Sequence, residues 1–184
     1  MLTYALMAVV ALLPIGLYLL KQAKVSTPSL QWPALAGVLK FQYQAQPPRM
    51  LGDWDGRHVS VELHNGQVLA TMQLSQPSRL RVEVGSKAAM ESRAGMVMPD
   101  RVNTSDADFD GRFIARCSDR AAAQQIFEPA LRQRLMSQPV VETVGVGDKV
   151  QWLLPDLKDP DTLEHVLEVM TIIASEMERF PANA

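Results

Sequence analysis

The sequence lacks the motifs by which most enzymes are recognised. It contains no Gly-x-Ser-x-Gly elbow, no Gly-x-x-x-x-Gly-Lys phosphate loop and no dinucleotide fingerprint. Cysteine occurs once, at Cys117, so no internal disulfide can form and nothing requires an oxidising compartment. The formal net charge is -2, and both signs are mixed without the basic stripe of a nucleic-acid-binding protein. We therefore expect a non-catalytic protein with no nucleic-acid partner and no cofactor, and we assign no catalytic, cofactor-binding or metal-binding residues.

Charged side chains are also absent from residues 2–20, an apolar run of 19 residues. A helix of this length crosses about 30 Å of hydrocarbon. The run has no ionisable group for proton transfer, ion passage or axial ligation of a haem or chlorophyll. A cleaved secretory signal is the alternative, but no Lys or Arg precedes the run and no small-x-small site follows it. The run predicts a retained transmembrane anchor, with the lipid bilayer as a partner.

Basic residues beside this run predict its orientation. Lys21, Lys24 and Lys40 follow the run, whereas no Lys or Arg precedes it. Because basic flanks remain on the cytoplasmic side, we expect a single-pass protein of the cell inner membrane. Its N-terminus would lie outside, and its soluble domain would lie in the cytoplasm.

The predicted organisation has three parts. They are an anchor with its basic flank at residues 1–24, a linker with a short juxtamembrane helix at 25–50, and a soluble α+β domain at 51–184. Within the linker, Pro33 predicts a helix start that extends to about Tyr43. Trp32 is expected at the membrane interface.

Alternating apolar and polar residues in the soluble part predict an antiparallel sheet with one wet face. Val59, Val61 and Leu63 share one side of a strand, and Asn65-Gly66 after it is a strong hairpin signal. Further strands are predicted at residues 67–75, 79–84, 112–117, 140–146 and 149–154, with Arg79, Arg81 and Glu83 pointing to solvent. Residues 52–56 are rich in turn formers, and residues 85–104 are predicted as loop with a short helix near Ala88.

Helices are predicted to cover this sheet. Ser118 or Asp119 caps one helix, and Pro129 begins another that ends before Pro139. Asp159 and Pro160 suit the first positions of a long C-terminal helix. Its apolar face consists of Leu163, Val166, Leu167, Met170, Ile173, Ala174 and Met177.

Residues 106–111 carry the sharpest local motif. Asp106, Asp108, Asp110 and Gly111 match positions 1, 3, 5 and 6 of an EF-hand calcium loop. The twelfth position, which needs a bidentate Glu, falls on Cys117. We therefore favour an acidic turn that leads into a strand anchored by Phe109 and Phe113, with calcium binding as the alternative.

The histidines and the cysteine offer no reactive cluster. His58 and His64 share one strand face but lie about 20 Å apart by strand geometry, so they cannot bind the same metal. His165 is alone in the C-terminal helix. Cys117 has the strand parity of a buried side chain and no His-containing motif beside it, and Gly145-Val146-Gly147 belongs to a hairpin. Ordinary structural roles are the expectation for all of them.

Three loose motifs carry a resemblance to a family. They are Gly-x-x-x-Gly-Arg-x-Val-x-Val at residues 52–61, Asp-Phe-Asp-x-x-Phe at 108–113 and Pro-x-Leu at 129–131. Together with the N-terminal helix they resemble uncharacterised bacterial single-pass membrane proteins with a soluble α+β domain of unknown function. The resemblance supports the fold and implies no activity.

These features favour an accessory or structural subunit of a larger membrane complex, with other subunits of that complex as partners. An energy-converting respiratory or photosynthetic complex is one candidate host. The alternative is a membrane-tethered module that binds or senses a small ligand or calcium.

Overall fold

The computed structural model describes residues 31–92, 98–138, 140 and 142–182. The predicted membrane anchor at residues 2–20 lies outside these residues. Among the helices that the described residues form, none is long and apolar enough to cross a membrane.

Nine strands of the described residues form one antiparallel sheet. Their order is β1-β2-β3-β4-β9-β8-β5-β7-β6, so the first four strands form a meander at one end. The strands are β1 (Gln42–Ala45), β2 (Pro48–Trp54), β3 (Arg57–His64), β4 (Gln67–Gln73), β5 (Arg81–Ser86), β6 (Asp100–Val102), β7 (Phe113–Cys117), β8 (Glu142–Val146) and β9 (Lys149–Leu154).

Helices connect and cover these strands. They are α1 (Trp32–Val38), α2 (Lys87–Glu91), α3 (Ala107–Arg112), α4 (Arg120–Ile126), α5 (Pro129–Ser137) and α6 (Pro160–Glu178). Together with the sheet they confirm the predicted α+β class, the antiparallel sheet and the long C-terminal helix.

Local sequence explains the tight turns. Asn65-Gly66 and Asp55-Gly56 each have two consecutive positive φ angles, which a two-residue hairpin of the favoured type requires. Asp159 caps α6 by accepting a hydrogen bond from the Thr162 amide at 2.8 Å. These residues set the β2–β3 and β3–β4 registers and the start of the longest helix.

One face of the sheet carries the main core. Val61, Ala70 and Trp152 are fully buried there, and α6 packs across β4, β9 and β8. Gly145 of β8 lies under Met177, where a Cβ atom would overlap the methionine sulfur. Gly52 is covered in the same way by the ring of Phe41, which follows α1. We call this side the helical face.

The C-terminal end of α6 is clamped to the sheet. Arg57 of β3 donates to Glu178 Oε2 at 2.8 Å and to Ser175 Oγ at 3.1 Å. The Ser75 amide also donates to Glu178, at 2.8 Å, and the Ser78 hydroxyl donates to the Met177 carbonyl at 2.7 Å. These hydrogen bonds hold the end of α6 against the helical face. Two of the residues that they join, Arg57 and Glu178, are 121 positions apart in the chain.

The described residues cover the other face at one end only. Ile114 of β7 has the opposite parity to Phe113 and Ala115, yet it is buried. Helix α2 contacts β5 and β7 there, its Met90 is buried, and Arg116 donates to the Pro99 carbonyl at 3.1 Å. The β5–β6 connection therefore crosses β7 on this side, and the face formed by β2, β3, β4, β9 and β8 remains accessible.

The structure differs from the sequence-based predictions in five places. Strands β1 and β2 occupy residues predicted as helix end and turn, and β6 falls within the predicted 85–104 loop. Trp32 is only 1% exposed and packs in the core, whereas the sequence predicted it at a membrane interface. Glu83 was predicted to face solvent and is fully buried. Residues 106–111 form a helical turn before the strand.

Candidate functional site

The candidate functional site lies on the accessible side of the sheet. It consists of outward-pointing residues of β2, β3, β4, β9 and β8, and we call it the open face. Its residues are Leu51, Ser60, Glu62, Leu69, Thr71, Val144, Gln151 and Leu153, all of them at least partly accessible. An open face on an antiparallel sheet is normally polar, so the leucines and valine distinguish this one.

Strand register brings the apolar residues together. Leu69 of β4 lies directly opposite Leu153 of β9, and Gln151 lies opposite Val144 of β8. Val146, at the end of β8, is 40% exposed. Directly opposed side chains in neighbouring strands are close enough to pack together. The result is an apolar stripe across the three central strands.

A depression lies along this stripe. It has a volume of about 230 Å³ and is lined by His64, Leu69, Glu142, Val144, Gln151 and Leu153. Binding pockets for drug-sized ligands are typically about 300 to 1,000 Å³, so this depression is small for such a ligand. It is better suited to one or two apolar side chains from a partner.

Two carboxylates mark the margin of the stripe. Glu142 lines the depression and is 9% exposed, and Glu83 of β5 is fully buried. Arg81 donates to Glu83 Oε1 at 2.6 Å, and Arg116 of β7 lies opposite Glu83 in the register. A charge removed from water needs such a partner. The site therefore has an apolar centre with buried carboxylates at one margin and accessible polar residues, Ser60, Glu62 and Thr71, beside it, and an apolar centre with a polar rim is typical of protein-binding surfaces.

The acidic motif folds as a capped helical turn. Asp106 accepts from the Phe109 amide at 3.1 Å and from Arg132 Nε at 3.1 Å. Asp110 accepts from the Thr104 hydroxyl at 3.0 Å. The hydrogen bond from the Phe109 amide is the main reason why the pKa of Asp106 lies below its usual range. Both carboxylates are thus committed to protein donors.

Neighbouring aromatic residues hold this turn in place. Phe109 and Phe113 are buried with their ring centroids 5.3 Å apart, as the anchoring role predicted for them requires. Among the described residues, no group of three or more His, Cys, Asp or Glu side chains is arranged to bind a metal ion.

Calcium is expected to leave the protein unchanged. Asp106 and Asp110 would have to give up hydrogen bonds, and a helical turn cannot wrap its carboxylates around one ion as a calcium loop does. We expect the same melting temperature in calcium and in chelator, for the wild type and for Asp108→Ala. A calcium-dependent rise in melting temperature that Asp108→Ala abolishes would contradict this geometry.

The remaining candidates from the sequence lie apart from one another. His58 is exposed on β3 and lies 2.8 Å from Asp53, whereas His64 is bonded to Asn65 at the other end of the strand. His165 lines a separate polar cleft of about 450 Å³ between the ends of α5 and α6.

Burial of Cys117 raises the pKa of its thiol, so the nucleophilic thiolate is disfavoured. Gly145 lies on the helical face, away from the site.

The apolar stripe on the open face is absent from the sequence-based predictions, although a signal for it is present in the sequence. Leu69 lies between Val68 and Ala70, and Leu153 lies between Trp152 and Leu154. An apolar residue at an outward position breaks the alternation expected of a half-buried strand. Such interruptions in two paired strands predict that both faces of the sheet carry apolar side chains.

Comparisons with known proteins identify the fold and no family. No protein-family model and no curated protein sequence matches the chain. Among solved structures, the chain is similar to the crystal structure of the mycobacterial trehalose monomycolate transport factor A, TtfA, with a TM-score of 0.59 and 11% sequence identity. The similarity covers 82% of this chain and 94% of that one. At this level of identity, the chain shares the fold of that transport factor.

Proposed function

We propose that this protein is a non-catalytic accessory subunit of a larger membrane assembly, anchored by residues 2–20 and docked through the open face of its sheet. The observation that carries the proposal is the paired Leu69 and Leu153 on an accessible sheet face. A continuous apolar patch on a soluble domain costs free energy unless a partner covers it.

The character of the site favours binding over chemistry. The residues that line the depression include no Ser, Thr or Cys beside a base, and His64 is bonded to Asn65. The depression is also small for a metabolite, which makes a ligand-sensing module the weaker alternative. A docking surface requires only the apolar centre and polar rim that are present.

The fold comparison suggests which host to examine first. A solved structure with this fold is named a transport factor, so a membrane transport assembly is the first host to test. The energy-converting complex considered from the sequence is the second. Neither choice alters the docking surface.

Capture of partners from the membrane tests the proposal. The tagged full chain, purified in mild detergent, should bring other subunits with it. The double variant Leu69→Asp/Leu153→Asp should lower their recovery at least tenfold, because central apolar contacts are each worth about 2 kcal/mol or more. Recovery is measured by quantitative mass spectrometry.

A matched control separates surface charge from docking. Gln125→Asp/Gln133→Asp adds the same charge at exposed positions of α4 and α5 and should leave recovery unchanged. Leu69→Thr/Leu153→Thr keeps residues that favour strands, so it tests docking if the aspartates impair folding. A chain that is strictly monomeric, with no co-purifying partner, would refute the proposal.

A further inference from the structure

Helix α1 has no polar side chain on any side. Trp32, Leu35 and Ala36 pack into the core, while Pro33, Ala34, Gly37 and Val38 face outwards and are exposed. Val38 is 65% exposed, a large fraction for an apolar residue. A helix that is apolar all round is normally covered on all sides. The outward face of α1 therefore calls for an apolar cover.

The charge of the N-terminal part of the chain indicates what that cover is. None of the 20 acidic residues precedes Asp53, whereas Lys21, Lys24, Lys40 and Arg49 do. Lys40 is exposed directly after α1. Asp53 has the parity of the open face, on the other side of the sheet from α1, where its carboxylate contacts His58. The chain up to and including α1 therefore carries apolar and basic side chains and no acidic ones, which suits an anionic lipid surface.

The length of chain before α1 keeps it close to the bilayer. The predicted anchor ends at residue 20 and α1 begins at Trp32, so 11 residues separate them. Fully extended, they reach at most about 40 Å. Residues 25–39 contain no charged side chain, so the desolvation of charged groups does not oppose an approach to the membrane surface.

We propose that the outward face of α1 lies in the lipid headgroup region, with Lys40 against anionic headgroups. This rests on the anchoring in the proposed function and adds an orientation to it. The α1 end of the domain faces the membrane, and the open face of the sheet is left accessible to a neighbouring subunit. Each lysine near an anionic surface contributes attraction that salt weakens.

Depth-dependent fluorescence quenching tests the orientation. The full chain, carrying Cys117→Ala and a single new cysteine labelled with an environment-sensitive dye, is reconstituted in phosphatidylcholine vesicles with a minor share of phosphatidylglycerol. Reporters at Val38→Cys and Gly37→Cys should show blue-shifted emission and strong quenching by brominated acyl chains. Position 37 tolerates a side chain, since a Cβ there would meet no atom within 4 Å. The matched control is Val146→Cys, the exposed apolar position on the open face, which should show neither effect.

The outcomes distinguish this inference from the anchor. If the chain resists alkaline carbonate extraction but the reporters at 37 and 38 remain unquenched, the orientation is wrong and the anchor stands. Equal quenching at position 146 would also overturn the orientation. So would a signal at 37 and 38 that depends on the protein-to-lipid ratio, because it would show that a second copy of the chain covers the outward face of α1. Release of the chain by carbonate would overturn both. High salt should reduce quenching in anionic vesicles and leave it unchanged in purely zwitterionic ones.

Discussion

Replacing Arg57 by methionine is expected to destabilise the domain by roughly 3 kcal/mol, near the lower end of the cost of breaking a buried ion pair. The Arg57 and Glu178 side chains are only 10% and 15% exposed. Removal of the guanidinium leaves the carboxylate poorly solvated and frees the last turn of α6 from β3. Urea unfolding of the full chain in mild detergent, followed by circular dichroism, measures the change.

An exposed ion pair provides the control for this prediction. Arg134 and Glu168 join α5 to α6 at 3.1 Å, but their side chains are 51% and 43% exposed. Arg134→Met should cost at most about 1 kcal/mol, the usual value for a pair in water. Equal decreases in the free energy of unfolding for Arg57→Met and Arg134→Met would show that the Arg57–Glu178 pair stabilises the fold no more than an exposed pair does.

The same clamp makes stability depend on pH in a defined direction. Burial by itself would raise the pKa of Glu178, but hydrogen bonds from Arg57 and the Ser75 amide outweigh it and lower the pKa. A carboxyl with a lowered folded-state pKa stabilises the fold above its unfolded pKa, and this contribution disappears as the pH falls through the folded value. The stability difference between wild type and Glu178→Gln should therefore be constant at neutral pH and shrink below about pH 4.

Replacing Trp32 by alanine is expected to cost about 3 kcal/mol or more, the loss typical of a large buried aromatic side chain. Trp32 attaches α1 to the core, where it is 1% exposed, so its removal also loosens the packing of α1 on the domain. Urea unfolding gives the stability, and amide hydrogen exchange in α1 shows whether the loss is local.

Trp54 serves as the comparison for this variant. It is only partly buried, next to the β2–β3 turn, and Trp54→Ala should cost clearly less. Unchanged stability in Trp32→Ala, together with weaker membrane partitioning, would instead favour the interfacial position that the sequence suggested. The two variants thus separate a core residue from a lipid-facing one.

Local signals were sufficient for much of the fold. The Asn65-Gly66 hairpin, the Asp159 cap and the apolar face of α6 depend on residues close together in the chain, and the structure confirms them. Strands β1 and β2 were not predicted, because β1 has only the short sequence Gln-Tyr-Gln-Ala and Gly52 of β2 is a residue typical of turns. In the structure, Gly52 is a strand residue whose missing side chain makes room for Phe41. That reason depends on packing and cannot be read from local spacing.

The site was harder to predict than the fold. Glu83 alternates with Val82 and Val84 and thus has the pattern of a solvent-facing residue, yet the α2 connection crosses its side of the sheet. Likewise, Leu69 and Leu153 become neighbours only when β4 pairs with β9, across about 80 residues of sequence. The strand order decides both outcomes, and periodicity within one strand does not encode strand order.

The position of α6 has a consequence for how the protein is made. Strands β4, β9 and β8 are covered by α6, which follows all three of them in the chain, and the last turn of α6 closes onto Arg57. During synthesis the central strands are therefore made before the helix that covers them. Closure of the core must await the synthesis of α6, so the nascent domain passes through an incomplete stage in which its apolar strands are exposed and open to chaperones.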